Sequence, residues 1–144
     1  MGTLRHLPRT LLTYLVGFFA TLAASVGVIV ISHFRPTSPQ IDRIARGWSR
    51  AWLATAGVDL TITGADAVDR DRSYVVVANH ASNFDVMACF LAVPLPIRYL
   101  AKKELFRVPL LARAMRAIGI VEVDRASRGL IHDQINSQAN ALVS

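Results

Sequence analysis

The sequence predicts an α/β fold: an N-terminal membrane helix, then a mainly parallel sheet with flanking helices. Three observations lead there. Residues 10–32 contain no charge and no proline. Short apolar stretches at residues 58–63, 74–78, 97–101 and 120–123 alternate with segments of helical periodicity. Proline and glycine bound the helical segments in the order that starts and stops require. Parallel neighbours need a crossover between them, so strands separated by helices indicate a parallel sheet. The chain divides into residues 1–36, a membrane anchor; 37–57, an amphipathic interfacial helix; and 58–144, the α/β part.

The first element rests on length. As a helix rising ~1.5 Å per residue, the run 10–32 is about 34 Å long, against ~30 Å of bilayer hydrocarbon. A cleaved signal peptide is the competing reading, given Arg5 and Arg9 ahead of the run and the small residues Ala23, Ala24 and Ser25. The apolar character continues through Val26 and Ile31, past any such cleavage site, which favours an uncleaved anchor. Arg35, Arg43, Arg46 and Arg50 outnumber Arg5 and Arg9. That bias places the following domain on the cytoplasmic side. A re-entrant hairpin near residues 20–25 is the alternative that leaves both ends on one face.

Ser38 and Pro39 read as N-cap and first position of the second helix, and Gly57 as its stop. Ile41, Ile44, Trp48 and Trp52 recur at helical spacing, with Arg43, Arg46 and Arg50 on another face. Two readings stand: a helix on the membrane surface with Trp at the interface, or an amphipathic helix with both tryptophans in the core. Residues 58–63 alternate apolar and polar, as a half-buried strand does. Residues 74–78 form a continuous apolar run, the pattern of a strand covered on both faces. A helix is expected from Phe84 to Leu91, a strand at 97–101, a helix from Pro109 to Ile118 stopped by Gly119, and a strand at 120–123. A last amphipathic helix is expected after Ser127, with Ile131, Ile135 and Leu142 on its apolar stripe. No strand follows it, so the domain reads as cut short, and the 144-residue chain alone is expected to be poorly stable and nearly inactive.

Composition narrows function. Hydrophobic residues make up 53% and charged residues 18%, with a formal net charge of +6. The basic residues stand singly among apolar ones, with no Lys/Arg block, which suits lipid headgroups and phosphorylated substrates and argues against nucleic acid. One cysteine, Cys89, excludes an internal disulfide and reads as packing. His6, His33 and His132 lack partners at ligand spacing, so no metal site is expected.

The segment Asn79-His80-Ala81-Ser82-Asn83-Phe84-Asp85 lies where a predicted buried strand meets a helix, the usual place for a ligand site in an open α/β sheet. Five residues of separation let the turn fold Asp85 back onto the imidazole, with Ser82 or Asn83 capping the helix. Asp85 then orients His80 as a general base. No serine or cysteine is placed as a nucleophile, so the substrate must supply one. A structural His and Asp is the bland alternative. A hydrolase would need an activated water or nucleophile beside the pair.

NHASNFD resembles the NHxSxxD form of the His-x4-Asp motif in the 1-acylglycerol-3-phosphate acyltransferase family. Lys102-Lys103-Glu104-Leu105-Phe106-Arg107-Val108-Pro109 resembles that family's K-x-E-L-x-x-x-P stretch, and Gly119 through Arg125 is similar to its second block. The resemblance covers residues 60–125 and makes 58–144 the N-terminal part of an acyltransferase domain. It implies that His80 deprotonates the free hydroxyl of a lysophospholipid, most simply lysophosphatidic acid, and that Asp85 orients His80. Acyl-CoA or acyl carrier protein would be the acyl donor, and no further cofactor is implied. Arg125 would bind the glycerol phosphate, with Lys102 or Lys103 assisting, and Gly119 would permit a tight turn. An ion pair of Arg125 with Asp124 or Asp133, and plain solvation of the lysines, are the alternatives. The family's third block, Phe-Pro-Glu-Gly-Thr-Arg, and its proline-centred fourth do not occur in these residues. That leaves open a second function: a non-catalytic, membrane-associated fragment of such an enzyme.

Overall fold

A computed structural model describes residues 7–124. Helix α1 runs unbroken from Leu7 to Phe34, so the hairpin alternative near residues 20–25 is excluded. Nothing in the run interrupts the i to i−4 ladder, and Thr13 and Thr21 return their hydroxyls to the carbonyls of Arg9 and Gly17. α2 spans Pro39–Ala56 with the predicted punctuation: Ser38 Oγ accepts from Gln40 N, and Gly57 closes it at φ 65°. α3 spans Phe84–Ala92, β1 Leu100–Lys102, α4 Pro109–Ile118 and β2 Val121–Val123. A 3-10 turn, Lys103–Arg107, links β1 to α4. β1 and β2 pair in parallel, Leu100 opposite Val121 and Lys102 opposite Val123, with α4 as the crossover.

Two predicted strands are not formed. Residues 58–63 and 74–78 carry no ladder, and Val75 and Val77 are 94% and 90% exposed rather than covered on both faces. A strand exists only with a neighbour to bond, and among the described residues none pairs with either segment. The parallel pairing is therefore a two-stranded unit within a mostly helical structure. The helix predicted after Ser127 lies outside the described residues.

α1 does not stand apart. Its buried positions, Thr13, Gly17, Ser25 and Val28, are mostly small and admit α2 and α4 closely. Val28 packs with Ile41 of α2 and Ala114 of α4. Thr21 Oγ1 accepts from both indoles of α2, Trp48 at 2.8 Å and Trp52 at 3.3 Å. The Trp52 ring fills the space where a side chain on Gly17 would sit. The opposite face, including Leu11, Leu15, Phe18 and Phe19, is exposed. Such a continuous apolar face requires lipid or a partner. A second cluster joins Ala45 of α2 to Phe90 of α3 and Ile97, with Trp48, Cys89 and Tyr99 against it. Burial drives the Tyr99 phenol above its usual range, and its hydroxyl donates to Val86 O at 2.9 Å.

Candidate active site

The turn ahead of α3 is organised by one carboxylate oxygen. Asp85 Oδ2 accepts from Ala81 N and Ser82 N, both at 2.7 Å, and from His80 Nδ1 at 3.2 Å. Ser82 Oγ accepts from Phe84 N at 3.2 Å, so Ser82 supplies the cap and the Asn83 side chain does not. These bonds explain the spacing. Asp85 sits in the first turn of α3, where a carboxylate meets free amides, and folding back reaches the residues just before the helix. The Ser82 amide first, then the His80 hydrogen bond, hold the Asp85 carboxyl below its ordinary range. An ionised carboxylate only accepts, so His80 Nδ1 must carry the proton and donate it. In the neutral ring, Nε2 then bears the lone pair. The His80 side chain is 57% exposed, against 32% for Asp85, so the imidazole is open to solvent while the carboxylate is partly sheltered.

The remaining predicted residues lie elsewhere on the scaffold. Lys102 ends β1 and is exposed. Lys103 instead engages Asp124: Nζ donates to Oδ2 at 2.6 Å, and that hydrogen bond raises the ammonium pKa. Gly119 closes α4 at φ 87°, a conformation that favours glycine, and an added Cβ would meet Arg98 Cδ at 3.0 Å. From there the chain passes through Ile120 into β2. Among the described residues no hydrogen bond or ion pair links Lys102 or Gly119 to His80 or Asp85. Arg125 lies outside the described residues. Among those described, no three of His, Cys, Asp and Glu converge as metal ligands.

What the sequence did not indicate is the support behind the turn. Phe84, the first residue of α3, meets the Trp52 ring edge-on at 6.5 Å, and Trp52 is held by Thr21 of α1. Helical spacing singled out Trp52, but only the packing shows that it leans on the residue beside Asp85.

The Acyltransferase family model matches residues 59–144, more than half of the chain. The chain belongs to this acyltransferase family. A curated relative, the 1-acyl-sn-glycerol-3-phosphate acyltransferase of Borreliella burgdorferi, is 26% identical over 76 residues, covering 53% of this chain. The chain spans 30% of the length of that relative. No solved structure matches it. The family match takes in the His80 turn, α3, α4 and both strands, and leaves out α1 and α2.

Proposed function

We propose that this acyltransferase moves an acyl group from acyl-CoA or acyl carrier protein to the free hydroxyl of a lysophospholipid, converting lysophosphatidic acid to phosphatidic acid. The observation that carries the reading is the His80–Asp85 pair, its carboxylate pinned by two amides and its imidazole open to solvent. Nε2 takes the proton of the acceptor hydroxyl as the oxygen attacks the thioester carbonyl. Asp85 stabilises the imidazolium that forms. The carbon–sulfur bond then breaks, the thiolate takes the proton back from His80, and the products are an ester and a free thiol. No acyl-enzyme is needed, because the acceptor is the nucleophile. The name of the Borreliella relative supports the choice of acceptor. Arg125 takes the acceptor phosphate, and Lys102 remains available to assist.

The reading also assigns α1 to the membrane. Among the described residues it is the one helix long and apolar enough to cross a bilayer. α2 and α4 cover one face along its length, and a perpendicular span would draw the charges of Arg43 and Arg50 into hydrocarbon, at about 2.5–3.5 kcal/mol each. This favours α1 lying in one leaflet with its exposed face in lipid, and the catalytic turn on the cytoplasmic side.

The test is to incubate membranes carrying the protein with lysophosphatidic acid and labelled acyl-CoA or acyl carrier protein. Phosphatidic acid should form, and His80→Ala should lower its rate by at least about 100-fold, the contribution of a general base, while the protein stays on the membrane. Near-normal turnover by the variant would remove His80 from the mechanism. Membrane association without turnover in the parent chain would favour the non-catalytic reading, which the unpaired segment 74–78 supports.

A further inference from the structure

Beside the His80 turn lies a cavity of about 450 Å³ walled by three separate elements: Arg9 and Tyr14 of α1, Trp52 and Ala56 of α2, and Ser82 and Phe84 at the start of α3. Its lining divides in chemistry. Trp52 meets Tyr14 edge-on at 6.3 Å and Phe84 at 6.5 Å, making an aromatic wall. Arg9 lies against the C-terminus of α2, where Nε donates to Thr55 O at 3.4 Å and the guanidinium rests over Gly57.

A structural role in capping α2 would explain that position, but it uses little of the group. The Gly57 amide already donates to the carbonyl of Ala54, and the Val58 amide to that of Leu53. The Arg9–Thr55 bond is long, and guanidinium has five N–H donors. Among the described residues no carboxylate pairs with Arg9. A cation to which the described residues bring no carboxylate, an aromatic wall and the adjoining turn at Ser82 together define the ligand chemistry: an anionic head on an apolar stem.

We propose that this cavity binds the acyl acceptor, with Arg9 holding its phosphate and the wall of Tyr14, Trp52 and Phe84 holding its stem beside His80. The proposal rests on the acyl-transfer reading for the identity of the amphiphile. Leu11, Leu15 and Phe18 are exposed on α1, the helix that also carries Arg9 and Tyr14 of the cavity, so with that face in lipid the acceptor would enter sideways from the bilayer. The volume falls within the range usual for small-molecule sites, about 300–1,000 Å³. A phosphate monoester carries roughly two negative charges, so Arg9 leaves charge for a second cation, the part assigned to Arg125. A larger cavity of about 630 Å³ at the far end of α1, beside His33, Phe34 and Arg113, shares none of these residues and provides a control.

The test is a binding titration that needs no turnover, so it can fail while acyl transfer through His80 stands. The 144-residue protein in neutral detergent is titrated with lysophosphatidic acid, with the uncharged monoacylglycerol of the same chain, and with coenzyme A, followed through tryptophan fluorescence. Lysophosphatidic acid should bind about tenfold to a hundredfold more tightly than monoacylglycerol, the range for one charged hydrogen-bonded contact. Arg9→Gln should erase that difference, Arg9→Lys should retain part of it, and Arg113→Gln should leave it intact. Ala56→Phe, which fills the cavity and keeps every charge, should weaken both amphiphiles. Equal losses for Arg9→Gln and Arg113→Gln would reduce the effect to net charge and overturn the proposal. So would unchanged binding by Ala56→Phe, or a loss confined to coenzyme A, which would give the arginine to the donor.

Discussion

Asp85 Oδ2 accepts three hydrogen bonds within one turn of chain, and their effect is set by its ionisation. The native pKa lies below the ordinary carboxylate value of about 3.9. The stabilisation from these bonds is therefore complete above about pH 4 and fades as the pH falls through the lowered native value. In Asp85→Asn the side chain stays neutral, so the stability gap to the parent should be full at pH 6 and should shrink below pH 4. Urea midpoints measured from pH 6 to pH 2.5 check this, and a pH-independent gap would mean that the charge is not what the amides hold. Arg125→Ala should raise the acceptor KM about tenfold or more, at ~1.5–3 kcal/mol for a charged contact, with the thioester KM little changed. Separate titrations of the two substrates decide it: a change confined to the thioester would transfer Arg125 to the donor.

At the scale of elements, the contact between α1 and α2 bears on the site. Thr21 Oγ1 accepts two indoles and donates to Gly17 O, which leaves it no spare capacity. Thr21→Val keeps the shape and strands two half-buried N–H groups, at a cost of about 1–3 kcal/mol. Gly17→Leu should be worse, because the new side chain collides with the Trp52 ring and cannot be accommodated without separating the helices. Trp52 supports Phe84 next to Asp85, so both variants should lose turnover beyond their loss of folded protein. Thermal midpoints together with rates per folded molecule test the link. A rate per folded molecule equal to that of the parent would confine α1 to anchoring.

For the whole molecule, the two faces of α1 make different demands. The covered face is small and polar-tolerant, whereas the outer face carries Leu11, Leu15, Phe18 and Phe19. A helix in one leaflet should tolerate no charge on that outer face. Phe18→Lys should reduce partition onto anionic vesicles at least about tenfold despite the added positive charge, since interfacial binding scales with buried apolar area. Its thermal midpoint in detergent should stay near that of the parent, because Phe18 is 63% exposed. Stronger vesicle binding by the lysine variant would show that α1 associates through charge and not through insertion.

Local rules made much of the chain legible. Ser38, Pro39 and Gly57 bound α2, and Pro109 and Gly119 bound α4, because caps are satisfied within a few residues of sequence. The His80–Asp85 contact was readable for the same reason, as five residues of separation suffice to close it. By itself the sequence thus determined the helix ends, the apolar α1 and the pairing of His80 with Asp85. It misplaced the strands at 58–63 and 74–78, because apolar alternation describes a surface able to pair while the ladder depends on a distant partner. It left Trp48 and Trp52 between membrane and core, and the tertiary structure turned them both onto Thr21. Only that structure brought Arg9 to Gly57 and into the cavity beside Ser82, across more than seventy residues of chain. Such approaches are decided by which helix faces bury together, and no local signal in the sequence encodes that choice.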